Sequence, residues 1–438
     1  MDKNEIIKIL EDWNFWRRGL DSGIKRPFYI DKLTKLLQTN QILIITGARR
    51  SGKSFIMRQL AKELTMEGVE SNNILMVNFE DPRFTELNAK TLQNIYETYL
   101  EFLNPSGQPY IFLDEVQEVK EWEKWVRTVH ELRKAKIVIS GSNAKLLSGE
   151  LATLLTGRHL DLTIFPLSFE EYIIFNNISI KDQIDIINRH IEIKGLIKKY
   201  LEFGSFPEVV LTEGKNQILL NYFEDILNKD IIRRFRIRKA EKLKSLAKFY
   251  LANISSPITF SSMEKFLETS ADTIEKFSSY LETSYLVFFL KKFSFKVKEQ
   301  EKSPRKVYAI DTGLANTVGF RFSENIGKVA ENIVFLALKR KQATNPYLEL
   351  YYWKDVHHHE VDFVVKEGLK IDSLIQVCWE LNRLETKNRQ VKVLIKAMDE
   401  FKLKEGLIIT EEYEGKEKIK DKEIIYIPLW KWLLGVRT

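Results

Sequence analysis

A chain of 438 residues with a single cysteine, Cys378, cannot form an internal disulfide. That scarcity fits a reducing compartment, so a cytoplasmic location is expected. Long apolar runs are lacking too. The longest candidate, YLVFFL at 285–290, falls far short of the roughly 20 residues of a membrane span. The opening MDKNEIIKILEDW is charged and helix-like where a secretory leader is apolar, and no membrane association is expected. A hydrophobic content of 44% is ample for packed cores, and the length suggests about three domains of roughly 150 residues. Net charge is +7, with a pI near 9.0. Such a surface invites an acidic partner such as nucleic acid, but abundant Lys and Glu also suit a solvated, heat-tolerant exterior, so charge alone decides nothing.

GARRSGKS, residues 47–54, follows the apolar run ILIIT. Gly47, four intervening residues and then Gly52-Lys53-Ser54 allow a tight loop to turn its backbone N–H groups onto the phosphates of a nucleotide. Lys53 reaches the terminal phosphates and the Ser54 hydroxyl takes Mg²⁺. The expected ligands are ATP and Mg²⁺. The context fits: a short buried strand precedes the loop, and Ile56, Leu60 and Leu64 mark an amphipathic helix after it. The nucleotide-binding set is Gly47, Arg49, Arg50, Ser51, Gly52, Lys53, Ser54 and Phe55, with Arg49 and Arg50 open between phosphate contact and salt bridging at the helix start. YIFLDEVQEV at 110–119 is an apolar strand ending in Asp114-Glu115. There an aspartate supports the metal and a glutamate orients and deprotonates the attacking water. KIVISGSN at 136–143 ends in Ser140, Ser142 and Asn143, of which Ser142 or Asn143 is the candidate γ-phosphate sensor.

Strand and helix alternate through 42–46, 74–79, 110–113 and 137–140, the pattern of a parallel sheet with crossover helices. With L-x-G-R at 155–158 and P-L-S-F-x-E at 166–171, the chain resembles the archaeal and bacterial AAA-type P-loop ATPases that carry a C-terminal domain of unknown function. That resemblance implies an α/β fold of three parts. An ATPase domain with a helical lead-in spans 1–165, a helical and winged-helix domain 166–321, and an α/β domain similar to the restriction-endonuclease-like PD-(D/E)XK fold 322–438. It also implies a catalytic role for Arg158 toward a γ-phosphate, in its own subunit or across an interface; the alternative is a surface ion pair. ATP hydrolysis, DNA, a protein partner and a homo-oligomer are the associated expectations.

In the middle segment Leu243, Leu246, Ala247 and Tyr250 form an apolar stripe, and SSME at 261–264 has capping-box spacing. Ile274, Phe277 and Leu281 face inward on a third helix that leaves Thr273, Lys276, Ser278 and Ser279 outward. Just before it, residues 229–248 hold nine Lys or Arg against two acids. Arg233, Arg234, Arg236, Arg238 and Lys239 are the nucleic-acid candidates, with interdomain salt bridging by Arg233 and Arg234 as the alternative.

The last segment reads as a helix with Glu331, three strands, a helix near 386–401 and two more strands. Active members of the fold it resembles gather divalent metal on a helix glutamate, an aspartate and a D/E-x-K pair. Glu331 and Asp362 match the first two positions, but the third falls on Gln376-Val377-Cys378, with cysteine where the lysine belongs. Metal binding and cleavage are therefore expected to be weakened, unless Lys366 or Lys387 substitutes. His357-His358-His359 reads as a turn in preference to a metal site, because consecutive strand residues point to alternating faces.

Overall fold

The computed structural model describes residues 1–142, 157–319, 326–381 and 384–436. The chain divides after Ile164 into two compact units.

The first unit is built on a parallel sheet of order β2-β3-β4-β1-β5, from β1 (Ile42–Thr46), β2 (Ile74–Asn78), β3 (Tyr110–Asp114), β4 (Lys136–Gly141) and β5 (His159–Thr163). The central strands are near-continuous apolar runs because both faces are covered. Ile42 and Ile44 pack with Ile111, Leu113, Ile137 and Ile139 under α1 (Lys3–Trp13), α4 (Ala89–Leu103) and α5 (Trp122–Glu131). Leu43 and Ile45 join Phe112 and Val138 under α2 (Pro27–Leu37) and α3 (Lys53–Met66) on the other face. Each fully buried aliphatic side chain contributes about 1.5–3 kcal/mol, so an acid at Ile44 would break the layer.

The lead-in finishes the sheet. Asn14, fully buried, accepts from the Met76 N–H at 2.7 Å and donates to the Met76 carbonyl at 2.9 Å, while the Trp16 indole donates to the Ile74 carbonyl at 2.8 Å. Side chains thus occupy the open edge of β2, where another strand would otherwise pair. β5, absent from the strands expected, reads HLDLT: only Leu162 is buried, so it lacks the apolar run that exposed the others.

The second unit begins with helices. One close approach among them demands glycine: Gly204 sits at φ +72, and a Cβ there would lie 2.0 Å from Asp311 Oδ1. That carboxylate accepts from the backbone N–H of Ser205 at 2.6 Å and of Leu314 at 2.9 Å. Residues 226–233 form a π-helix, an uncommon form that accompanies functional sites. Next come helix Ala240–Ala252, β6 (Ser256–Ile258), a short helix Glu264–Leu267, helix Ala271–Thr283, β7 (Val287–Leu290), a short helix Val297–Lys302 and β8 (Arg305–Ala309), the strands forming an antiparallel sheet β6-β8-β7. The expected capping box at 261–264 does not form. Ser261–Met263 is a 3₁₀ turn without a side-chain cap, and Glu264 reaches forward to the Ala271 N–H at 2.7 Å. Ser278, expected outward, is buried against the Tyr250 hydroxyl at 2.6 Å.

After helix Ile326–Gln342, β9 (Leu348–Lys354), β10 (Glu360–Glu367) and β11 (Lys370–Val377) form an antiparallel meander. Helix Leu384–Phe401 crosses to β12 (Glu405–Thr410), parallel to β11, and β13 (Gly415–Ile419) and β14 (Lys422–Pro428) complete the order β13-β14-β12-β11-β10-β9. Three strands follow the helix rather than the expected two. The extra one, GKEKI, is an edge strand without a fully buried residue, which blunts it against pairing.

Candidate functional site

Parallel strands end on one side, which is where open α/β sheets hold ligands. Here β1 runs into 47–54, β3 delivers Asp114 and Glu115, and β4 delivers Ser140 and Ser142, with Ile45 level with Ser140 and Leu113 with Ile139. Gly47 turns at φ +142; a Cβ there would stand 2.1 Å from the Ile164 carbonyl oxygen, so only glycine passes. Gly52 takes φ +98 and Arg50 φ +67 as the loop turns into α3.

Inside the loop Lys53, 4% exposed, donates to the Gly47 and Ala48 carbonyls, each at 3.2 Å, and stands 3.6 Å from Glu115 Oε1. Ser140 donates a short hydrogen bond to Asp114 and accepts from the Glu115 N–H at 3.1 Å. The Ser54 hydroxyl bonds Asp114. Glu115 lies in the left-handed region at φ +53, its carboxylate bonded by the Gln117 amide and the Ser142 backbone N–H. Burial and then the adjoining Glu115 charge push the Asp114 carboxyl up from its ordinary value. Burial acts on Glu115 too, but the Lys53 ammonium, the Gln117 amide and Arg49 prevail and hold it below the usual range.

The residues fit Mg²⁺ and a polyphosphate. A buried ammonium stands beside the Asp114–Glu115 pair, and among the described residues the Ser51 hydroxyl is buried without a hydrogen-bond partner. Arg49 pairs with Glu80 at 2.9 Å, and Phe55 is half-exposed beneath the Arg58 guanidinium at 5.2 Å. Asn143 lies outside the described residues. Arg158 is not brought to this site. Its carbonyl accepts from the Ile42 N–H at the start of β1, a strand's length of roughly 16 Å from the loop, and its exposed guanidinium pairs with Glu131. That pairing is the surface ion pair expected as the alternative for Arg158.

A second cluster lies in the other unit. Glu331 and Asp362 do converge, but on Lys306 of β8: its ammonium lies 2.8 Å from Glu331 Oε1, 2.9 Å from Asp362 Oδ1 and 2.8 Å from Glu360 Oε1, with 1% of the side chain exposed. The Tyr308 hydroxyl donates to Glu331 at 2.7 Å. Gln376 is spent on the backbone, its oxygen accepting from the Asp362 N–H at 3.3 Å, and burial pushes the Cys378 thiol up to about 11. Lys366 and Lys387, the expected substitutes, pair instead with Glu349 at 2.6 Å and Glu417 at 2.9 Å. Sequence reasoning missed Lys306 because it lies before the segment that resembles the nuclease fold. Its signal was RKVYA, in which a lysine and a tyrosine share one face of an apolar strand. His357–His359 form a turn on Asp355, whose carboxylate takes the N–H groups of His357 and His359 at 2.8 and 2.9 Å.

Of the basic stretch, Arg233, Arg236, Arg238 and Lys239 are exposed and make no ion pair among the described residues, while Arg234 is engaged. Phe235 between them stacks on Tyr280 of helix Ala271–Thr283, ring centroids 3.9 Å apart.

Loop, metal-side acids and strand-end serine on one parallel sheet define an AAA-type P-loop ATPase domain. Residues 39–173 match the AAA domain family, 194–325 match a domain of unknown function, DUF8612, and 326–432 match a second, DUF4143. An uncharacterized protein of Methanocaldococcus jannaschii is 34% identical over 409 residues, 90% of this chain and 88% of that protein. One of Haemophilus influenzae is 32% identical over 418 residues, 93% and 98%. The chain belongs to the family of these two proteins. A Walker-type ATPase of Pyrococcus abyssi superposes with a TM-score of 0.43 at 12% identity, over 68% of this chain and 96% of that one.

Proposed function

We propose that the protein binds and hydrolyses Mg²⁺-ATP and couples that cycle to DNA. The observation that carries the first half is the meeting of Lys53, Ser54, Asp114, Glu115 and Ser140 at one sheet edge. Ser54 and Asp114 would hold Mg²⁺, which would neutralise phosphate charge, while ATP supplies the phosphoryl group transferred to water. Lys53 exchanges its loop carbonyls and Glu115 for phosphate oxygens. Glu115, released from Lys53, orients water and takes its proton, and Ser142 or Asn143 senses the γ-phosphate. Arg158 faces the opposite end of β5, so its catalytic use requires a neighbouring copy of the chain. The test is turnover of the full chain with Mg²⁺: Glu115→Gln is expected to bind ATP and hydrolyse it about 100-fold more slowly or worse. Undiminished turnover removes the base assignment.

The DNA half rests on Arg233, Arg236, Arg238 and Lys239 standing exposed beside Phe235 and Tyr280. We read 166–321 as helical and winged-helix, supported by the helix–strand–helix–helix–strand order over 240–290, followed by a short helix and the returning strand β8, and 322–438 as nuclease-like in fold, supported by its helix, three-strand meander, helix and strand. Stimulation of turnover by single-stranded, double-stranded or branched DNA, fading with salt, is the expected result. One observation favours a protein partner instead: helix Ala271–Thr283 exposes Asp272 and Glu275 beside Lys276, a poor face for phosphate. Turnover that depends on Lys53 yet ignores every DNA would select that reading.

A further inference from the structure

Three carboxylates from two elements converge on one point: Glu331 from helix Ile326–Gln342, and Glu360 and Asp362 from β10. Their oxygens lie 2.8, 2.8 and 2.9 Å from the Lys306 nitrogen. A lysine ammonium has three N–H donors and no acceptor, and here each donor has one carboxylate. The cluster opens onto a cleft of about 680 Å³, lined also by Lys328, Gln376, Cys378, Trp379 and Arg389. Acids buried beside a cleft need a countercharge, and here the chain itself supplies it, the three acids forming no metal-holding group among the described residues.

We propose that Lys306 is the resident cation of this site, filling the place a divalent metal ion would take, so that the cleft binds no divalent metal in the intact protein and gains that capacity when the ammonium is removed. The geometry favours the tethered cation. Asn332, one residue beyond Glu331, holds β8 to the helix by accepting from the Ala309 N–H at 2.8 Å and donating to its carbonyl at 3.0 Å, which fixes Lys306 over the acids. The Tyr308 hydroxyl takes a further position on Glu331, the Val377 N–H takes Asp362 Oδ2 at 2.9 Å and the Lys354 ammonium donates to Glu360 Oε2 at 3.2 Å, so all three carboxylates are already oriented from outside the cluster. A second consequence is mechanical: the same ammonium joins the β6-β8-β7 sheet to the β9–β14 sheet.

The test is Mn²⁺ uptake by the nucleotide-free full chain, followed by titration calorimetry and by the electron paramagnetic resonance of free Mn²⁺. Wild type and Asp362→Asn should be indistinguishable. Lys306→Ala should bind one additional Mn²⁺, about tenfold tighter or better than any wild-type binding, and Lys306→Ala/Asp362→Asn should lose it. Lys306→Ala is also expected to melt lower than wild type and to recover in part with Mn²⁺. Lys306→Met, which fills the space without charge, should gain no ion. A wild-type Mn²⁺ site that Asp362→Asn abolishes would overturn the proposal. So would a Lys306→Ala chain that takes up no extra ion or stays unfolded in Mn²⁺.

Discussion

Lys53→Met will destabilise the protein before any nucleotide is added. The Lys53 ammonium and Glu115 carboxylate stand 3.6 Å apart with side chains 4% and 9% exposed, so solvent screens their attraction little. At an effective dielectric of 20 that separation corresponds to about 5 kcal/mol of Coulomb energy. Removing one partner of such a pair leaves the other buried and uncompensated, at a cost of about 3–5 kcal/mol. Lys53→Met/Glu115→Gln removes both charges and should return most of the loss, short of about 1–2 kcal/mol for the two donations to the Gly47 and Ala48 carbonyls. Urea unfolding without nucleotide, followed by tryptophan fluorescence, measures this, Trp13, Trp16, Trp122 and Trp125 reporting on the first unit beside four tryptophans of the second. Neither variant should bind ATP. A single variant as stable as wild type, or a double variant no better than the single, refutes the claim that Glu115 is the resting partner of Lys53. An inactive Lys53 variant is therefore informative only with its stability measured alongside.

Gly47→Ala should abolish ATP binding and cost about 1–3 kcal/mol, because its Cβ meets the Ile164 carbonyl oxygen at 2.1 Å in a backbone that side chains rarely adopt; nucleotide titration and urea unfolding read the two effects. Asp311, fully buried, has its carboxyl raised by that burial from 3.8 to about 6. Its folded state therefore holds a proton the unfolded chain has released, and the stability it contributes is whole below pH 3.8 and lost as pH rises through 6. Relative to Asp311→Asn, wild type should lose about 1 kcal/mol between pH 5 and pH 7 in urea unfolding; a gap that does not change with pH contradicts this. Replacing Arg233, Arg236, Arg238 and Lys239 with alanine should lower the salt dependence of DNA binding by about 0.9 in log–log slope for each phosphate that these side chains neutralise. An unchanged slope places DNA elsewhere.

The loop and its acids were legible because the chemistry is local. A glycine at each bend, a lysine at the helix start and two acids at a strand end lie within short stretches, and the apolar runs of β1 to β4 announce the sheet that aligns them. β5 was not legible, since an edge strand with an aspartate at its centre needs no apolar run. Arg158 illustrates the opposite limit: its motif is readable, but the end of the sheet at which it stands depends on strand direction. Glu331 and Asp362 were found, whereas Lys306 and Glu360 were not, because convergence on an ammonium from a strand some 25 residues earlier is a tertiary fact. Ser278 failed for a similar reason, a polar residue turned inward by one hydroxyl partner, Tyr250.

The carbonyl that crowds Gly47 belongs to Ile164, whose N–H in turn donates to Thr46 at 2.7 Å. Ile164 is the last residue of the first unit; the next peptide bond begins the second. The loop that would feel the gain and loss of a phosphate therefore leans on the very residue at which its own unit ends.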